Sequence, residues 1–220
     1  MGAGGGIGLA VGRKFAAEGL HVALTARNKD HLVELVEEIQ SANEKVKVLS
    51  FSCQCSDANN VKETFNSIRE QIGAPSVLIF NASAFTMGPF LELSEEQFTE
   101  NWQVSCLGAF LNAKEVLPDM VKETRGTMIF TGATAGVKAS SGFAAFASAK
   151  HGLRALTQVR SPCHTSPPYS PCCTVLSKGV WIQRNPRLSR HHRWDRLRAP
   201  KPQRPSQRLC WSTDRAIRHR

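Results

Sequence analysis

Through residue 158 the chain alternates short apolar runs with stretches of helical period, and few folds accept that rhythm. Leu20–Thr25 reads as a buried strand, and Val77–Phe80 is a continuous apolar run, the pattern of a strand covered on both faces. Between them Leu32, Leu35, Val36 and Ile39 fall at i, i+3, i+4 and i+7, and Val61, Phe65, Ile68 and Ile72 repeat the pattern. Lys45–Phe51 and Thr127–Thr131 read as further strands. Ser94 with Gln97 has the form of a capping box opening a long helix that ends around Leu117-Pro118, and a last helix spans about Gly142 to Gln158. Asp57 is placed to cap the helix that follows it. Strand–helix alternation requires long crossovers, so the predicted class is α/β, a Rossmann-like doubly wound parallel sheet with helices on both faces.

The first of these crossovers begins at the N-terminus. Gly2, Gly6 and Gly8 precede an apolar-periodic run through Glu18, and a strand follows. Glycines there let a backbone turn sharply and let a phosphate approach the amides of a helix start. A βαβ unit also needs a strand ahead of the glycine loop, and the chain begins after the place where that strand would run. The predicted sheet therefore lacks its first, central strand.

Beyond about Val159 the rhythm stops. Residues 159–220 hold 14 Lys and Arg against 2 acids, whereas residues 1–158 hold 14 against 16, so the overall charge of +10 belongs to the last part. Eight prolines lie between Pro162 and Pro205, and the arginines follow no period. The division is thus a domain over 1–158 and a basic Pro/Arg-rich tail over 159–220, with no strand or helix predicted in the tail and disorder expected. A nucleic-acid-binding arm with Trp181, Trp194 and Trp211 is one account of it. A shifted reading frame or misjoined exon is the favoured one, and nucleic acid is not expected as a partner. Cys163-His164 and Cys172-Cys173 lack the spacing of paired zinc ligands, and no metal is expected. Seven cysteines without a signal peptide, and no run of about 18 apolar residues, predict reduced thiols, a cytoplasmic location and no membrane partner.

Taken together, the motifs of residues 1–158 resemble the short-chain dehydrogenases/reductases, Rossmann-fold oxidoreductases that use NAD(P). Gly2, Gly6, Ile7 and Gly8 match the family's nucleotide-binding loop, and Phe80-Asn81-Ala82-Ser83 matches its Asn-Asn-Ala-Gly motif, keeping Asn81 and replacing the last glycine. Thr25-Ala26-Arg27-Asn28 matches the end of the second family strand. An acid there would bind the ribose hydroxyls of NAD, whereas Arg27 suits the additional phosphate of NADP, so NADP(H) is expected over NAD(H). The family's aspartate near the adenine maps close to Gln54.

The resemblance also implies four catalytic positions: a tyrosine that exchanges a proton with the carbonyl or alcohol oxygen, a lysine one turn later, a serine and an asparagine. Lys150 matches the lysine, which also implies a hold on the ribose, and the i, i+4 spacing makes Phe146 the occupant of the tyrosine position. Ala133 stands at the serine and Ser105 at the asparagine. Phenylalanine has no exchangeable proton and alanine no donor. Thr131, Thr134 and Ser148 are the nearby hydroxyls, and Ser148 lies off the Phe146–Lys150 face. The resemblance therefore implies a small carbonyl or alcohol substrate, and the substitutions imply little activity on it or a catalytically silent nucleotide binder. Phe146 is expected to pack an apolar pocket wall. A homo-oligomer is left open.

Overall fold

The computed structural model describes residues 1–158 and the backbone of two later strands, 172–176 and 180–184. Six helices and six strands are described: α1 (Ile7–Ala17), β1 (Val22–Ala26), α2 (Val33–Ala42), β2 (Val48–Ser52), α3 (Ala58–Ile72), β3 (Val77–Phe80), α4 (Glu95–Trp102), α5 (Gly108–Lys122), β4 (Thr127–Thr131), α6 (Ala144–Gln158), β5 (Cys172–Leu176) and β6 (Val180–Arg184). A π-helical turn over Gln103–Leu107 joins α4 to α5.

Local chemistry explains the helix starts. The Asp57 carboxylate accepts from the amides of Asn59 and Asn60 at the head of α3. Ser94 and Gln97 form the reciprocal capping box at the head of α4. Both caps satisfy amides that a helix start leaves without intrahelical acceptors. The predicted stop at Leu117-Pro118 does not hold, because α5 continues through Pro118 to Lys122. A proline inside a helix removes one ladder bond. Tertiary contacts hold the turn beyond it: Asp119 accepts from Arg69 Nε at 2.7 Å, and Met120 is buried in the core.

The strands form two groups. β1 and β2 pair in parallel, Val22 opposite Val48 through Ala26 opposite Ser52. β3 pairs in parallel with β4, Val77 opposite Thr127. The second group then departs from the all-parallel expectation, since β6 runs antiparallel to β4 and β5 antiparallel to β6. Order across that group is β3-β4-β6-β5. The segment beyond Val159 is therefore not free of secondary structure, as its composition predicts. The runs Cys-Cys-Thr-Val-Leu and Val-Trp-Ile-Gln-Arg are rich in residues that suit a pleat, and the outer edge of β4 offers them a ladder. The remainder of the basic tail, including Cys163, His164, Trp194 and Trp211, lies outside the described residues.

Between β1 and β3, Met1–Ala3 provides a short length of extended backbone. The Met1 amino group donates to Ile79 O at 3.0 Å, and Asn81 N donates to Met1 O at 3.0 Å. Ala3 N donates to Thr25 O at 2.9 Å on the other side. A residue that donates to one position and accepts two positions further on is paired in parallel. The Thr25 hydroxyl also contacts Met1 Sδ. Burial pushes the Met1 amine down to about 6.

Two apolar clusters flank this seam. Leu24, Leu32, Ile39, Val46 and Val48 pack beneath α1 and α2. Phe65, Ile68, Leu78, Phe80, Val116, Phe130 and Leu153 form the other, between α3, α5, α6 and the strands β3 and β4. Cys53 and Cys55 belong to this second cluster, and burial pushes both thiols up.

Candidate functional site

The glycine loop runs from the seam into α1, with Gly6 as its N-cap. Two of the three motif glycines are required by close approach. Gly2 has φ +71°, and a Cβ on it would lie 2.4 Å from Ala82 N. A Cβ on Gly8 would lie 2.8 Å from Ala3 Cα. Gly6 differs: its Cβ would meet nothing within 4 Å, so the loop leaves open space at the helix start. Asn81 holds the loop from the β3 side, its Nδ2 donating to Gly2 O at 3.1 Å. Ile7, the first helical residue, is 58% exposed, so the mouth of the loop faces solvent. Helix-start amides, the positive end of the α1 dipole and the absence of an acid in the first turn make this a place for an anion.

Arg27 follows β1 at the same end of the strands and is exposed. Its carbonyl accepts from Ser52 Oγ at 2.9 Å, which ties the end of β1 to the end of β2 and leaves the guanidinium free to reach outward.

On α6 the lysine and the phenylalanine meet as the i, i+4 spacing predicts. Lys150 is 2% exposed, its Nζ donates to Thr131 O at 2.9 Å and lies 5.7 Å from the centre of the Phe146 ring. Burial lowers its pKa to about 8. The main-chain carbonyl at the end of β4 is thus the acceptor that fixes the ammonium. Phe146 packs edge-on against Phe85 at 5.0 Å between ring centres, and Phe85 also meets Phe143 at 6.0 Å. The loop carrying Phe85 is held to the head of α6 by Gly88 N donating to Gly142 O at 2.9 Å. An aromatic wall stands where the resemblance requires a hydroxyl.

Ser105 is fully buried in the π-helical turn. Its Oγ lies 3.2 Å from Ser83 Oγ and accepts from Ala84 N at 3.3 Å, so it braces the loop after β3. Ser83, which replaces a family glycine, thereby acquires a partner. Ala133 sits at the N-cap of the short 3-10 turn Thr134–Gly136 with extended backbone. Ser148 is exposed on the far side of α6, as its spacing predicts. The structure brings Gly2, Gly6, Ile7, Gly8 and Asn81 into one loop cluster and Lys150, Phe146 and Thr131 into a second.

Phe85 and the Thr131 carbonyl are the participants that sequence reasoning missed. Phe85 lies in a loop without period, and a carbonyl leaves no trace in residue type. Among the described residues no group of three or more His, Cys, Asp or Glu is arranged to hold a metal ion, and no helix is long and apolar enough to cross a membrane.

A glycine loop at a helix start, beside the C-terminal ends of parallel strands, with a helix-borne lysine at the end of a neighbouring strand, is the arrangement of the Rossmann-like nucleotide-binding α/β class. The family model for short chain dehydrogenase matches residues 1–162, and the chain belongs to the short-chain dehydrogenase/reductase family. It is 29% identical over 156 residues to the 3-ketodihydrosphingosine reductase of Mus musculus, covering 70% of this chain and 47% of that protein. Among solved structures it resembles an NAD+-bound xylitol dehydrogenase, with TM-score 0.67 and 29% identity over 71% of this chain and 60% of the other. It likewise resembles the alcohol dehydrogenase of Thermococcus sibiricus complexed with 5-hydroxy-NADP, with TM-score 0.66 and 30% identity over 70% and 64% of the two chains. The chain spans less than two thirds of the length of the curated relatives it matches, about half in the case of the ketodihydrosphingosine reductase.

Proposed function

We propose that this chain binds NADP(H) and turns over a small carbonyl or alcohol substrate slowly, as a nucleotide-binding member of its family with a weakened proton path. When bound, the cofactor supplies or accepts the hydride. Gly2, Gly6, Ile7, Gly8 and Asn81 form the cradle for its pyrophosphate, and Arg27 is the donor for a 2′-phosphate. Lys150 lies where the family's lysine holds the ribose. The relatives' solved complexes include both NAD+ and an NADP analogue, so the preference rests on Arg27.

One observation carries the weakness of the chemistry: the position one turn before Lys150 is a phenylalanine ring packed on Phe85. No proton can pass between that ring and a substrate oxygen. Positioned acid–base catalysis contributes about 10²–10⁴-fold in rate, and a lost hydrogen-bond donor to the reacting oxygen costs about 10²–10³-fold more. Binding needs neither group.

Titration with NADPH, followed by nicotinamide fluorescence, tests the binding, and a panel of aldehydes and ketones tests the turnover. Saturable NADPH binding with slow oxidation is expected. Absence of NADPH binding overturns the proposal, and so does turnover at the rates usual for enzymes. Arg27→Ala is expected to weaken NADPH by about tenfold or more while leaving NADH nearly unchanged, since charge-assisted hydrogen bonds are worth about 1.5–3 kcal/mol.

A further inference from the structure

Two hydroxyls meet beside the loop after β3 and serve neither the glycine cradle nor Lys150. Ser83 is exposed and Ser105 fully buried, and their Oγ atoms lie 3.2 Å apart. Ser83 stands where the family has a glycine, and Ser105 where it has an asparagine. The direction of the bond between them follows from the protons available. Ser105 Oγ accepts from Ala84 N at 3.3 Å, and a buried hydroxyl also needs an acceptor for its own proton. Among the described residues that acceptor is Ser83 Oγ, because Ser83 sends its own proton to Ala84 O at 3.1 Å. Ser83 Oγ thus keeps one lone pair free. Its proton rests on the carbonyl of the very next residue, and rotation about a single C–O bond turns it elsewhere.

The pair is more than a brace. Ala84 N alone ties the loop to Ser105, so bracing requires no side chain at position 83. The π-helical turn over Gln103–Leu107 is what carries Ser105 there, and such turns are rare and recur at functional sites. Position points the same way. Two residues before Ser83, Asn81 Nδ2 donates to Gly2 O in the glycine cradle. Two residues after it, Phe85 packs on Phe146, one turn before Lys150. Ser83 therefore stands between the cradle and the aromatic wall, no more than about 7 Å of chain from either.

We propose that Ser83 is a further cofactor-binding residue, its hydroxyl exchanging hydrogen bonds with a hydroxyl of the sugar next to the nicotinamide, and that Ser105 is its positioning residue. This rests on the reading of the chain as an NADP(H) binder. A dinucleotide with its pyrophosphate at the glycines and its nicotinamide end toward Lys150 carries that sugar between the two clusters. The chemistry selects a hydroxyl: Ser83 offers one proton and one lone pair, which a sugar hydroxyl matches and a phosphate oxygen, an acceptor alone, does not.

NADPH titration by nicotinamide fluorescence, with adenosine 2′,5′-bisphosphate as displacing ligand, tests this on the full chain. The bisphosphate keeps the adenine-side sugar and its 2′-phosphate and lacks the second sugar. Ser83→Ala is expected to weaken NADPH by about three- to tenfold, the worth of one neutral hydrogen bond, and to leave the bisphosphate within about twofold of the parent. Ser83→Thr keeps the hydroxyl and is expected to hold NADPH within about twofold of the parent. Ser105→Ala is expected to weaken NADPH alone, and Ser83→Ala added to it to cost less than in the parent, since coupled residues do not add. Equal NADPH affinity of the parent and Ser83→Ala overturns the proposal. Parallel loss of both ligands overturns it too, because that is what a displaced loop would give. A parent chain that binds no NADPH overturns this inference together with the reading it rests on, whereas NADPH binding indifferent to Ser83 overturns this inference alone.

Discussion

Phe146 and Lys150 carry the chemistry at the scale of the residue. Restoring the missing groups should restore the proton path, because the helix already presents the correct spacing. Phe146→Tyr combined with Ala133→Ser is expected to raise NADPH-dependent carbonyl reduction by about 10²-fold or more over the parent chain. Steady-state NADPH oxidation measures it, and no gain would show that the cradle and the catalytic helix are not aligned. Lys150 also has a consequence for stability. Its pKa falls from 10.5 to about 8 on burial. Between those values the unfolded chain binds more protons than the folded one, so stability rises with pH across that window. Below about pH 8 the burial penalty applies in full and is on the order of 3 kcal/mol. Replacing Lys150 with methionine is expected to remove this rise, so urea midpoints of parent and variant should converge as pH climbs from 8 to 10. The thiols of Cys53 and Cys55, pushed up by burial, act in the opposite direction and are common to both proteins.

At the scale of the element, caps and tertiary anchors decide where helices begin and end. The α3 cap rests on one carboxylate that serves two amides, and the side chain is otherwise solvent-facing. Asp57→Ala is expected to cost about 1 kcal/mol, read as a lower urea midpoint with unchanged slope. Both caps were legible because capping is written in residue type at fixed offsets. The end of α5 was not, since what carries the helix past Pro118 is Arg69, 50 residues away in the sequence. Likewise the π-helical turn over Gln103–Leu107 leaves no periodic signal, yet it is what brings Ser105 against Ser83 and Ala84.

At the scale of the whole molecule, a cavity of about 380 Å³ lies between β1 and β3 and partly separates two apolar clusters, which are joined by Met1–Ala3 and by Ala23 of β1 and Phe51 of β2 packed against the second. Backbone groups facing a cavity lose the ladder partners that a continuous sheet provides. Unfolding is therefore expected to be broad or two-staged, with exchange in β1 and β2 faster than in β3 and β4. Calorimetry with residue-resolved hydrogen exchange checks it; one sharp, fully cooperative transition would contradict the expectation.

The sequence by itself determined the α/β class, the glycine loop, both caps and the identity of the residue one turn before Lys150, because each is set by residue type at short fixed spacing. Tertiary structure alone decided how those pieces meet. It put Thr131 O beneath Lys150, Phe85 against Phe146, Ser105 under the β3 loop and two antiparallel strands on the edge of β4. It also left a cavity of about 380 Å³ between β1 and β3. These are contacts between residues far apart in the chain, made by backbone atoms or by side chains in aperiodic loops, and no local pattern of residues encodes them.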